Sequence, residues 1–145
     1  MTSQMVIQEN PVPRASRIIL AVVATLTILS GLYVGLTPVG SQTELSGRTW
    51  EEFAAADPEV ASIYAMDLVL LGIALTAFAI LGTIVTLAPY RRGERWAWFA
   101  LWLIPLVHGG VALRMLVDQY TAGYVYLGLF VISLIGILIP IRRFL

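Results

Sequence analysis

The chain has 145 residues, 59% of them hydrophobic and 12% charged, with a formal net charge of zero and a mean hydropathy of +0.85. A water-soluble domain carries about a quarter of its residues as Asp, Glu, Lys and Arg, so this composition leaves too little polar surface to cover a globule in water and implies lipid. Cysteine is absent and there is one histidine, which excludes disulfides, thiolate nucleophiles, iron–sulfur clusters and both Cys-based and His-rich metal sites.

Residues 1–17 are polar, carry helix-blocking Pro11 and Pro13, and end in Arg14 and Arg17; they read as a tail. Residues 18–37 are uncharged and long enough, at about 1.5 Å per residue, to cross a hydrocarbon core of about 30 Å. A secretory signal has a shorter apolar region of about 7–15 residues, so this run reads as a retained first span. Residues 38–62 form the one sizeable loop. Within it Thr49-Trp50-Glu51-Glu52 fits a capping box, and Asp57-Pro58 fits a second helix start with Asp as cap and Pro in the first turn. Trp50, Phe53 and Ala54 share a face of the short helix between these signals, which suggests that it lies in the headgroup region.

The second span is expected over residues 63–88, followed by a polar turn at 89–95. A third span covers 96–117, an opposite turn 118–122, a fourth span 123–140, and 141–145 close the chain. The short connections make consecutive helices antiparallel, so the expected fold class is an all-α membrane protein. It is a single domain, an up-down bundle of four transmembrane helices with a short interfacial helix in the first loop. Gly31 and Gly35 form a GxxxG match; Gly72, Ala79, Gly82, Gly128 and Gly136 are further places where helices could approach closely.

All nine basic residues are Arg. Arg14, Arg17, Arg91, Arg92, Arg95, Arg142 and Arg143 fall on one side of this arrangement; Arg48 and Arg114 fall on the other. The positive-inside rule then puts both termini in the cytoplasm, in a cytoplasmic-membrane protein. Glu44, Glu51, Glu52, Asp57, Glu59, Asp67 and Asp118 gather on the opposite side. Tyr90, Trp96 and Trp98 mark the inner boundary, and Trp50, Tyr64, Tyr120 and Tyr124 the outer one. The arginines are those that topology requires, so no nucleic-acid partner is implied.

Ionisable groups within spans are costly and become functional candidates by default. Asp67 and Arg114 are expected at similar depth, where they could pair, with Asp118 one turn from Arg114 as a second partner. His108 lies deeper, beside Pro105, which cannot donate to the Leu101 carbonyl and commonly kinks a helix. Gly109 and Gly110 follow it. Each of these residues has two readings. Asp67, Arg114 and Asp118 either lock helices together or bind a substrate. His108 is either a hydrogen-bonded helix contact or a cofactor or proton site. No catalytic residue and no metal set is assigned, and no cofactor is identified. Two families of small helix bundles are disfavoured. A thiol-redox enzyme of the vitamin K epoxide reductase type needs cysteines, and a small multidrug transporter needs an embedded Glu in its first helix, where residues 18–37 have none. Light-harvesting helices place Ala four residues before the ligating His; here that residue is Ile104.

Two stretches, Thr49-Trp50-Glu51-Glu52-Phe53-Ala54-Ala55-Ala56-Asp57-Pro58 and Tyr90-Arg91-Arg92-Gly93-Glu94-Arg95-Trp96-Ala97-Trp98, resemble those of small prokaryotic four-helix membrane proteins with no assigned activity. The resemblance covers about a fifth of the chain; it implies the topology and no catalytic residue. The expected function is therefore non-enzymatic: an accessory or scaffolding subunit of a larger membrane complex, or a homo-oligomer in the bilayer. The alternative is a binder, carrier or enzyme for a small lipophilic molecule or pigment, held between the second and third spans.

Overall fold

Backbone polar groups in hydrocarbon must be satisfied within the protein, and a helix does this within one segment. The computed structural model describes residues 12–37 and 49–145, and among these the chain is helical with no strand. Most of the expected 1–17 tail, and residues 38–48 of the long loop with Glu44 and Arg48, lie outside the described residues. The helices are α1 (Arg14–Leu36), α2 (Trp50–Ala56), α3 (Pro58–Val85), α4 (Arg95–Leu101), α5 (Leu103–Val117), α6 (Gly123–Leu138) and α7 (Ile141–Phe144). Three stretches are long and apolar enough to cross a membrane: Arg14–Leu36 with 23 residues, Pro58–Tyr90 with 33 and Arg95–Val117 with 23. Helix α6 is equally apolar but has only 16 residues, about 24 Å at the usual helical rise.

Local chemistry explains the boundaries. The Thr49 hydroxyl accepts from Glu52 N while Glu52 Oε2 accepts from Thr49 N at 2.9 Å, so both halves of the capping box are present. Asp57 accepts from Val60 N and starts α3, with Pro58 in the first turn. The far end of α3 widens into one π turn, Thr86–Tyr90, containing Pro89. Proline has no N–H to give to a carbonyl in the preceding turn, and the wider turn relieves the clash of its ring there. The third span is broken at Trp102, whose N–H bonds to Phe99 O at 3.2 Å in a tighter turn; Pro105, three residues on, is the cause. The threonines Thr25, Thr27, Thr76, Thr83 and Thr86 each return their hydroxyl proton to the carbonyl four residues earlier, so none of these five hydroxyls is an idle donor.

Contacts between helices define the packing order. Gly31 and Gly35 of α1 meet Gly72 and Thr76 of α3. A Cβ added at Gly72 would sit 2.5 Å from Gly31 O and 2.6 Å from Gly35 Cα, so the backbones touch and only glycine fits. Ser16 and Ser30 of α1 bond Gly136 O and Tyr126 of α6, respectively. The pairings run in opposite directions along the chain, so α1 is antiparallel to both α3 and α6. Gly109 against Phe130 and Gly123 against Leu116 make α5 and α6 antiparallel as well. Helix α1 thus holds the centre, packed on α3 along one face and α6 along another. Of the other glycines expected at contacts, Gly82 meets Ile104 and Gly136 meets Ile19 and Leu20, while Gly128 faces open space. Trp50, Phe53 and Tyr64 cluster with ring centroids 5.8–6.5 Å apart, laying the aromatic face of α2 on the start of α3.

Candidate functional site

Of the buried polar side chains, Ser16 and Thr27 lie on α1, while Thr86, His108 and Ser133 lie elsewhere in the bundle. Ser16, Thr27 and Ser30 fall on one helix face, and each meets a different partner. At one end Ser16 Oγ donates to Gly136 O at 2.6 Å and lies 2.6 Å from Tyr90 Oη. The serine has one proton, so the tyrosine hydroxyl donates to the serine oxygen. In the middle Thr27 Oγ1 lies 2.9 Å from His108 Nε2. One turn further along, Ser30 Oγ lies 2.8 Å from Tyr126 Oη.

His108 is 1% exposed. Its Nδ1 is 2.7 Å from Ile104 O. A carbonyl can only accept, so Nδ1 carries the proton, and in the neutral ring Nε2 offers a lone pair to the Thr27 hydroxyl. That hydroxyl is also 2.8 Å from Val23 O and has a single proton to share between the two acceptors. In an imidazolium Nε2–H would donate to Thr27 and the hydroxyl proton would pass to Val23 O. Both charge states thus find partners in the same four groups. The Tyr126 ring stands 6.1 Å from the imidazole, centroid to centroid, and closes the remaining side.

The expected grouping of Asp67, His108 and Arg114 between the second and third spans does not form. Arg114 Nε reaches along its own helix to Asp118 Oδ2 at 3.0 Å, and both residues are exposed. Asp67 is exposed on α3 and forms no ion pair with Arg114. The i,i+4 geometry brings Asp118 to the guanidinium without moving a helix, whereas Asp67 sits across a weakly packed boundary. His108 turns toward α1 and α6, so its partner is on the first span and not the second. Thr27 was not a candidate from the sequence; the signal that could have found it is that it shares a helix face with Ser16 and Ser30, since a lone hydroxyl in an apolar run carries none.

The larger grooves lie elsewhere. One of about 460 Å³ runs over the glycine crossing of α1 and α3, lined by Gly31, Gly35, Val69, Gly72, Thr76 and Ile80 among others. A second of about 370 Å³ lies on the outer face of α5 and α6 beside Pro105, Gly109, Gly110 and Phe130. A smaller one of about 110 Å³ is bounded by Tyr33, Leu71, Leu75, Met115 and Tyr126. None of the three is lined by Asp67, His108 or Arg114. Among the described residues no group of three or more His, Asp or Glu side chains could hold a metal ion. Comparison of the chain with protein-family models, curated proteins and solved structures gives no match.

Proposed function

We propose that this protein is a non-enzymatic subunit of the cytoplasmic membrane. It crosses the bilayer four times with both termini in the cytoplasm, α2 rests in the outer headgroup layer, and the bundle packs against a larger complex or another copy. The observation that carries this reading is the division of labour between polar and apolar surface. His108, its partner Thr27 and the two serine–tyrosine pairs are consumed by contacts between the chain's own helices; of these residues Tyr126 alone lines one of the three grooves, that of about 110 Å³. By contrast only 22–28% of each long span is buried within the chain. The outward remainder, including the open faces at Gly110 and Gly128, must be covered by lipid or by another helix. Binding of a lipophilic molecule at the second and third spans is less favoured, because its three candidate residues diverge.

Native mass spectrometry after gentle extraction from the host membrane tests the function. Co-purifying polypeptides or multiples of the 15.9 kDa chain mass are expected. A bare single chain without partners overturns the reading, and a bare chain carrying one defined small molecule favours the alternative. Topology has a clean assay because the chain lacks cysteine. With an impermeant maleimide, Glu51→Cys should label in intact cells and Arg92→Cys only after permeabilisation. The reverse pattern overturns the orientation.

A further inference from the structure

Tertiary contacts gather one end of every long helix into a single arginine-rich surface. The Ser16–Tyr90 hydrogen bond joins the start of α1 to the end of the second span. Trp98 Nε1 donates to Ile137 O at 3.1 Å, joining α4 to α6. The Phe144 ring stacks on Tyr90 and Trp98 at 5.7 and 5.4 Å, and the Arg143 guanidinium packs on the backbone of Gly93, whose φ of +82° only glycine adopts without strain. Arg14, Arg17, Arg91, Arg92, Arg95 and Arg143 therefore share one end. Among the described residues Glu94 is the single acid there, pairing with Arg92 at 3.9 Å while also accepting from Trp96 Nε1 at 2.6 Å. Among the described residues, positive charge at this end is largely unneutralised.

Two further observations point to what neutralises it. Arg17 Nε is shielded from solvent and has no hydrogen-bond partner, an unsatisfied state that buried charged donors rarely keep. The register set by Gly31–Thr76, Gly35–Gly72 and Ser16–Tyr90 places Arg17 level with the last turn of the second span, which Arg91 directly follows. Immediately toward the apolar layer lie side chains turned outward: Ile18 is 61% exposed, Leu87 56% and Phe99 59%. Cations bordering an exposed apolar belt match a molecule that is anionic at one end and aliphatic at the other. A free phosphate has no use for the belt, and an acidic soluble peptide would leave it uncovered.

We infer that the Arg17–Arg91 corner is a binding site for the phosphodiester headgroup of an anionic phospholipid. The phosphate oxygens accept from Arg17 and its neighbours, and the acyl chains lie along Ile18 and Leu87. This requires only that the chain lies in a membrane, and stands whether or not a partner subunit exists. Lipid titration by native mass spectrometry in mild detergent tests it, using phosphatidylglycerol and phosphatidylcholine of identical acyl chains. The anionic lipid should bind at least about tenfold tighter, given roughly 1 kcal/mol per arginine near the headgroups. Arg17→Gln and, separately, Arg91→Gln at an exposed position should each reduce that preference several-fold, while Arg114→Gln at the opposite end leaves it unchanged. Equal affinity for the two lipids overturns the site, as does wild-type preference in both the Arg17 and Arg91 variants. A loss with Arg114→Gln as large as with Arg91→Gln also overturns it, since the effect would then be one of overall charge. Displacement of the lipid by equimolar inorganic phosphate would show a soluble-anion site and overturn the lipid assignment.

Discussion

The two ends of this molecule solve the same problem differently. At the arginine end, Ser16, Tyr90, Trp98, Ile137 and Phe144 interlock through buried hydrogen bonds and stacked rings. Among the described residues, charge is ranged around that plug and scarcely paired. At the acidic end the apolar packing thins out. Asp67, Arg114 and Asp118 are exposed, and the one ion pair among them lies within a single helix. The sequence suggests the opposite emphasis, with an Asp67–Arg114 clasp as the notable tie. The comparison teaches that charges at a membrane boundary report where a helix ends, while small residues, aromatics and hydroxyls report what it touches.

The contrast can be broken or sharpened by stability measurements in detergent. The largest effect is expected where backbones touch. Gly72→Val forces α1 and α3 apart and should cost about 3 kcal/mol in reversible unfolding, the upper range for overpacking, while Gly128→Ala, facing open space, should change stability by less than about 0.5 kcal/mol. Phe144→Ala removes two stacking contacts at the arginine end and should cost about 2 kcal/mol. A smaller loss than from Leu116→Ala at the acidic end would show that the plug is not the tighter region. The smallest effects come from double-mutant cycles. Thr27→Val with His108→Phe should give a coupling of about 0.6–1.7 kcal/mol, the range for interhelical hydrogen bonds in a membrane. Asp67→Asn with Arg114→Gln should give a coupling near zero, and a value comparable to the first pair would restore the clasp.

Several elements were legible because their causes are local. The caps at Thr49 and Asp57 form as the sequence suggests and Pro105 disturbs the helix it enters, whereas the second helix, expected to end before Pro89, runs through it to Tyr90 in a π turn. Ends are less legible. Helix α1 starts at Arg14, four residues before the expected 18, because arginine extends a helix readily once clear of Pro13 and its side chain can reach toward the headgroups. Helix α6 stops at Leu138 ahead of Pro140, leaving it shorter than its three companions. The candidate site was legible in part. His108 stood out as the lone mid-span titratable group, but its partner did not, because Thr27 is one of several hydroxyls in the spans.

By itself the sequence determined that the chain belongs in lipid, where its long apolar helices run, and how charge divides between their ends. These follow from hydropathy over about twenty residues and from backbone hydrogen bonds closed within each segment, both local quantities. Only the tertiary structure decided that α1 is central, that Gly31, Gly35 and Gly72 form a real crossing, that His108 answers to Thr27, and that Arg17 comes level with the end of the second span. The physical reason is that lipid is as apolar as a helix interior. A membrane helix therefore carries no strong hydrophobic stripe to mark its inward face, and that face is set by the fit of small side chains and shared protons between helices distant in sequence.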